Sequence, residues 1–104
     1  MNLDEVRVKI NDINDQMLAL FKERMELSKD VAAAKKKMNK AIYDAKRERD
    51  ILDKVTKDAG PDLDLYARRF FEALFSLSRT YQSEQLFQDN EFTLKMKKAI
   101  EQSP

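Results

Sequence analysis

The sequence predicts an all-α protein with three helices per chain and a long first helix. An apolar register with alternating spacings of four and three residues starts at Val6 and continues to Met38, which is typical of one face of a helix. Neither glycine nor proline interrupts it, since the chain's only glycine, Gly60, and Pro61 come later. A hydrophobic content of 42% with 38% charged residues is typical of an ordered, helix-rich chain.

The first helix is predicted over residues 4–38, with Arg24 at a position of the register where an apolar side chain is expected. At 1.5 Å per residue this helix is roughly 50 Å long. A compact chain of this size has a radius of gyration of about 13 Å, so the helix extends beyond any core that the rest of the chain can form. The register therefore predicts burial against a second chain.

The second helix is predicted to start after Asp44, which is a good N-cap, and to continue through Val55. Gly60 and Pro61 are expected to end it.

The third helix is predicted to be capped by Asp62 or Asp64 and to end near Gln88. Its apolar face is predicted to include Phe70, Phe71, Leu74, Leu77 and Tyr81. Residues 1–88 then form one domain. Residues 89–104 are expected to form a tail or connector, either as a weakly packed short helix or as a connector to a further domain.

Composition excludes several kinds of chemistry. The chain has no cysteine and no histidine, which excludes disulfides, a thiol nucleophile, a Ser-His triad and an ordinary zinc site. A net charge of +1 provides no broad basic surface for nucleic acid. Neither a secretory signal nor a long apolar run is visible, so we expect a cytoplasmic protein without a membrane partner.

Polar side chains occupy faces of all three helices that should be apolar. Arg24 and Lys35 are eleven residues apart, which places them within about 20° of the same helix face and roughly 16 Å apart along it. Glu48 lies on the apolar stripe of the second helix, and Ser78 and Gln82 are an i,i+4 pair on the third. Each alone has an ordinary structural explanation, such as a register-setting arginine or a surface ion pair. Together they indicate one buried polar cavity, and its cations predict an anionic ligand.

These residues resemble, in order and spacing, the all-helical (type II) class of chorismate mutases. The resemblance covers about residues 3–88. Within the class, the chain is similar to the mutase domain of bifunctional chorismate mutase/prephenate dehydratases. It is carried by Arg7 within Val6–Ile10, by Leu18–Arg24, by Lys35, by Asp44–Arg49, and by Ser78 with Gln82. The family often has a proline shortly before the aspartate, where this chain has Lys40–Tyr43.

The resemblance implies an isomerase of the shikimate pathway that converts chorismate to prephenate for phenylalanine and tyrosine biosynthesis, without a cofactor or a metal. It also implies an intertwined homodimer in which the long first helix spans both sites. Arg7 lies seventeen residues before Arg24, or about 25 Å along the helix, so an Arg7 that serves the site must come from the other subunit.

The same resemblance assigns roles to individual residues. Arg24 and the partner subunit's Arg7 are expected to bind the two carboxylates of chorismate. Lys35 and Gln82 are expected to donate hydrogen bonds to the ether oxygen, and Glu48 to accept one from the ring hydroxyl. Orienting or carboxylate-contacting roles remain for Asp44, Arg47 and Ser78.

Two other functions are compatible with the sequence. One is a lyase on the same fold that removes pyruvate from isochorismate. The other is a non-catalytic helical dimer, either a regulatory module or a coiled-coil adaptor, in which Arg24 only sets the register. The mutase itself is expected either as a free-standing enzyme or as the front domain of a longer one.

Overall fold

The computed structural model describes residues 1–88 and 98–101, and within them the regular structure is entirely helical. Helix α1 covers Leu3–Lys37, α2 covers Ala45–Ala59 and α3 covers Asp64–Gln88. A further helical stretch covers residues 98–101. The described residues thus contain four helical segments, one more than the three predicted. No helix among them combines the length and apolar character needed to cross a bilayer.

Helix α1 runs without interruption and agrees with the predicted bounds to one residue at each end. It begins after Asn2, whose Oδ1 accepts a hydrogen bond of 2.9 Å from the backbone N–H of Glu5. Acidic side chains lie in its first turn and three lysines in its last. This distribution of charge stabilises both ends of a helix dipole.

The bounds of α2 confirm its predicted start and stop signals. The Asp44 carboxylate accepts a hydrogen bond of 3.0 Å from the backbone N–H of Arg47, as an N-cap does. The helix ends at Gly60, where φ is +81°. A residue without Cβ adopts this backbone conformation without steric cost.

Helix α3 lies between the other two and contacts both. It begins at Asp64, whose carboxylate accepts a hydrogen bond from the backbone N–H of Leu65, and it ends at Gln88 as predicted. The buried hydrophobic side chains of the described residues are Ala32, Leu52 and Phe75, one from each helix. A core this small stabilises only the region where the three helices meet.

The predicted apolar face of α3 is partly wrong. Phe70 and Leu77 are more than half exposed, whereas Phe75, on the same line as Ser78 and Gln82, is buried. The buried residues of α3 are Phe75, Ser78 and Gln82, whose spacing of three and four residues places them on one stripe of the helix. Phe70 and Leu77 lie on a different side of α3.

The first half of α1 extends away from the rest of the chain. Its register side chains Ile10, Ile13, Met17 and Leu20 are 46% to 65% exposed. The radius of gyration is 18.5 Å and the longest dimension 56 Å, compared with about 13 Å for the radius of gyration of a compact chain of this length. The apolar register thus has no partner within the described residues along this half.

Candidate active site

A cavity of about 270 Å³ lies where the second half of α1, the start of α2 and the second half of α3 meet. Seven of the eight side chains predicted to form the site line it: Arg24, Lys35, Asp44, Arg47, Glu48, Ser78 and Gln82. They come from positions as far apart as 24 and 82 in the sequence. The fold therefore brings together residues that were selected only by helix periodicity and resemblance.

Arg7, the eighth predicted residue, is exposed on the extended half of α1 and does not line the cavity. This position agrees with the estimate of about 25 Å of helix between Arg7 and Arg24. The chain's own Arg7 is therefore not part of the cavity that its Arg24 lines.

Arg24 and Arg47 are neighbouring cations in the lining of the cavity. Burial, and secondly the nearby Arg47, lower the pKa of the Arg24 guanidinium from its usual value, yet an arginine stays charged. Among the described residues, no carboxylate lies within salt-bridge distance of Arg24 or Arg47. Two neighbouring cations without a carboxylate partner repel each other. A bound anion would relieve this repulsion.

The guanidinium of Arg24 lies beside an aromatic ring. Its guanidinium carbon lies 5.9 Å from the centroid of Phe75, which is buried on α3. A cation over a ring face at this distance is weakly attracted. The contact orients Arg24 without using its hydrogen-bond donors, which stay available for a carboxylate.

Lys35 connects α1 to the segment that precedes α2. Its Nζ donates a hydrogen bond of 2.5 Å to the carbonyl oxygen of Ile42. An ammonium group has three donors, so this bond leaves two for a ligand. The connection also contains Asn39 in the left-handed region, with φ of +55°, a conformation that asparagine adopts more readily than most residues.

Glu48 and Arg79 form an ion pair across α2 and α3. Arg79 Nη1 donates to both carboxylate oxygens of Glu48, which is only 20% exposed. The Arg79 guanidinium carbon also lies 5.1 Å from the centroid of the Tyr43 ring. Thus Glu48 is held by a cation that itself contacts the connection between α1 and α2.

A chain of hydroxyl and amide groups forms the wall of the cavity between α1 and α3. The hydroxyls of Ser28 and Ser78 lie 2.8 Å apart, and Gln82 Nε2 donates to Ser78 Oγ at 3.4 Å. All three residues are buried. Gln82 Oε1 is buried without a hydrogen-bond partner among the described residues, a state that costs about 1–3 kcal/mol. A donor from a ligand or from a second chain would remove this cost.

Sequence reasoning did not select Ser28 and Arg79, which also line the cavity. Ser28 lies one turn after Arg24, and Arg79 follows Ser78 directly. Because Ser28 lies four residues after Arg24 and therefore on the same helix face, the spacing could have identified it as a residue of the cavity. No comparable signal identified Arg79, because its contact with Glu48 joins residues 31 positions apart.

The lining of the cavity suits a small anionic ligand. Four cationic side chains and two carboxylates line it, hence a net charge of +2: Arg24, Lys35, Arg47 and Arg79 against Asp44 and Glu48. Hydrogen-bond donors come from α1 and α3, and a carboxylate acceptor from α2. The arrangement can bind, orient and stabilise developing negative charge.

Comparison with known proteins agrees with this geometry. Residues 6–83 match the family described as chorismate mutase type II. A chorismate mutase of Methanocaldococcus jannaschii is 42% identical over 55 residues, which are 53% of this chain and 56% of that protein. The chain therefore spans little more than half the length of this relative. The matched family region includes every predicted site residue, from Arg7 to Gln82.

Proposed function

This chain belongs to the type II chorismate mutase family, and on that premise we propose that it catalyses the rearrangement of chorismate to prephenate. The observation that carries the proposal is the cavity in which Arg24 and Arg47, without carboxylate partners among the described residues, face hydrogen-bonding groups of α2 and α3. The reaction would serve phenylalanine and tyrosine biosynthesis. The cytoplasmic location expected from the sequence stays a prediction.

The chemistry suits a site built from arginine, lysine, amide and carboxylate groups. The reaction is an intramolecular Claisen rearrangement, in which a C–C bond forms while the ether C–O bond breaks. It requires neither a nucleophile nor an obligatory proton transfer. The site has to hold a flexible dicarboxylate in a compact conformation and to stabilise negative charge that grows on the ether oxygen.

We assign the roles that family resemblance implies, as part of the proposal. Arg24 and the partner subunit's Arg7 bind the two carboxylates, because a guanidinium can bind a carboxylate with two hydrogen bonds. Lys35 and Gln82 donate to the ether oxygen, and Glu48 accepts from the ring hydroxyl.

Asp44, Arg47 and Ser78 then orient these groups or the substrate. The Asp44 carboxylate caps α2 through the backbone N–H of Arg47, which fixes the start of the helix that positions Glu48. Ser78 accepts from Gln82 at 3.4 Å and so limits how its amide can turn. The Lys35 bond to Ile42 leaves donors for the ether oxygen.

The proposal includes an intertwined homodimer. Two observations support it: the apolar register of α1 is exposed along its first half, and the radius of gyration of 18.5 Å is too large for a compact chain. A second chain would bury that register and would bring its own Arg7 toward the cavity. We further propose that residues 1–88 form the mutase domain, similar to that of the bifunctional mutase/dehydratases, and that 89–104 form a tail or connector.

The test is to incubate the purified protein with chorismate and to identify the products by NMR, with Lys35→Ala in parallel. We expect rapid, complete conversion to prephenate by the wild-type protein and a large loss of turnover in the variant. Unchanged chorismate at saturating protein would contradict the proposal. Release of pyruvate from isochorismate would then identify the lyase, and inactivity on both substrates would favour a non-catalytic helical module.

A further inference from the structure

Arg79 lines the cavity but has no role among the residues that family resemblance implies. We propose that Arg79 is a positioning residue for the mutase reaction: it holds the Glu48 carboxylate at the cavity and, through Tyr43, fastens the connection between α1 and α2 to α3. The inference rests on the proposed function, in which Glu48 accepts a hydrogen bond from the ring hydroxyl of the substrate.

The geometry of the pair restricts Glu48 without using its full capacity as an acceptor. Arg79 Nη1 donates to both carboxylate oxygens. Each oxygen of a carboxylate has two lone pairs, so the pair leaves sites for a substrate hydroxyl. Glu48 and Arg79 stand on different helices, and their pairing selects one position for a side chain with three rotatable bonds. The cost in conformational entropy of fixing the Glu48 side chain is then met when the protein folds, and not when the substrate reacts.

Charge gives a second reason for an arginine at this position. A dianionic substrate would be repelled by a bare Glu48 carboxylate that is only 20% exposed and therefore weakly screened. The Arg79 cation offsets that carboxylate. Without it, the lining would have three cations against two carboxylates, and its net charge would fall from +2 to +1.

The contact with Tyr43 extends the role of Arg79 to the segment before α2. The guanidinium carbon lies 5.1 Å from the ring centroid of Tyr43, an attractive cation–π arrangement. The neighbouring Ile42 is bound through its carbonyl oxygen to Lys35 of α1. The segment is therefore held from two sides, by Lys35 on α1 and by Arg79 on α3.

The first part of the test compares two arginines of α3 in the steady-state kinetics of the full chain. Arg79→Met is expected to lower kcat/KM on the order of 10-fold to 100-fold, as misplacement of a group in the site does. Arg68→Met is the matched control, because Arg68 donates to Glu72 at 3.0 Å on the same helix and both are half exposed. It should change kcat/KM by less than about twofold. Arg79→Lys keeps the charge but not the planar fork, and should fall between wild type and Arg79→Met.

The second part is a double-mutant cycle with Glu48→Gln, with thermal unfolding used to verify that each variant folds. In the Gln background no carboxylate remains to be neutralised, so Arg79→Met should cost much less than in the wild type. Equal losses in both backgrounds, or no loss on Arg79→Met, would overturn the role of Arg79 while the wild-type activity stands. A wild-type chain that is inactive on chorismate would overturn the proposed function and this role with it.

Discussion

The two halves of α1 share one apolar register but have different surroundings. In the second half, α1 contacts α3, and the residues buried there are the small Ser28 and Ala32. In the first half the register residues Ile10, Ile13 and Leu20 are 48% to 65% exposed. The register residues Leu27 and Val31 of the second half are 57% and 43% exposed as well. One chain therefore supplies the wall of the cavity, but it does not cover the apolar register in either half.

The two halves also differ in the polar residues that they present. The second half has Arg24 and Lys35 at the cavity, whereas the first half has the exposed Arg7. In the proposed dimer, Arg7 of a chain belongs to a different site from Arg24 and Lys35 of the same chain, because Arg7 would serve the cavity of the partner. Substitutions in each half should therefore have different effects on turnover, assembly and stability.

The largest effect is expected from Arg24→Leu in the second half. Removal of the guanidinium that is proposed to bind a substrate carboxylate should lower kcat/KM on the order of 10³-fold, while the fold survives because leucine suits the register. The measurement is the kinetics on chorismate together with a thermal melt. A variant that is more stable and fully active would contradict the site and would favour an arginine that only sets the register.

The next effect is expected from Ile13→Asp in the first half. If this register is a dimer seam, each dimer loses two apolar contacts worth about 2–3 kcal/mol apiece and buries two charges. Sedimentation should then show a shift from dimer to monomer, with loss of activity at low protein concentration.

Asn11→Asp is the matched control for Ile13→Asp. It adds the same charge two residues away, on a side of the helix that faces away from the register. We expect it to remain dimeric and active. Equal behaviour of the two variants would show that the exposed register of the first half is not an interface.

A smaller effect is expected from Gln82→Glu, on the α3 side of the cavity wall that faces the second half of α1. It concerns the pH dependence of activity. A neutral amide donates a hydrogen bond at any ordinary pH, so wild-type activity should persist at neutral pH and above. A carboxyl group donates only while protonated, and its ordinary pKa is about 4.3. The variant should retain activity in acid and lose it about tenfold per pH unit above its own pKa.

The readout for Gln82→Glu is kcat/KM measured as a function of pH for both proteins. A steep loss of wild-type activity between about pH 5 and 7 would indicate a titrating group in place of a neutral amide, and would contradict the proposed role of Gln82. Parallel profiles for the two proteins would contradict it as well.

The smallest effect is expected from Ser28→Ala, where α1 contacts α3. The variant loses the 2.8 Å hydrogen bond to Ser78, and the free energy of unfolding should fall by about 1 kcal/mol. Ser76→Ala, on an exposed position of α3, is the control and should leave stability unchanged. Melts should be compared at one protein concentration, because the stability of a dimer depends on it. An equal effect of both variants would contradict a specific contribution of the Ser28 bond.

Local signals predicted the elements well. Helix α1 was predicted over 4–38 and covers Leu3–Lys37, because an uninterrupted helical register needs no tertiary information. The Asp44 cap and the Gly60 stop were likewise local, since each concerns only the backbone next to it. The bounds of these helices then determine which residues can reach the cavity.

Contacts between helices were predicted less well. Periodicity identified Ser78 and Gln82 on one face of α3 but misassigned Phe70 and Leu77, which are exposed in the chain. It also missed Arg79, because a residue that pairs across two helices has the same local pattern as a surface arginine. Which helix lies opposite a given face depends on the tertiary arrangement, and a periodic pattern does not contain that information.

The most direct test of a shared site is complementation between two inactive variants. Arg7→Ala and Arg24→Leu should each be inactive alone. When they are unfolded and refolded together, about half of the dimers are mixed, and each mixed dimer has one intact site, so about a quarter of wild-type activity should return. Recovery to that level would support a site formed by Arg24 of one chain and Arg7 of the other. No recovery from verified mixed dimers would contradict it.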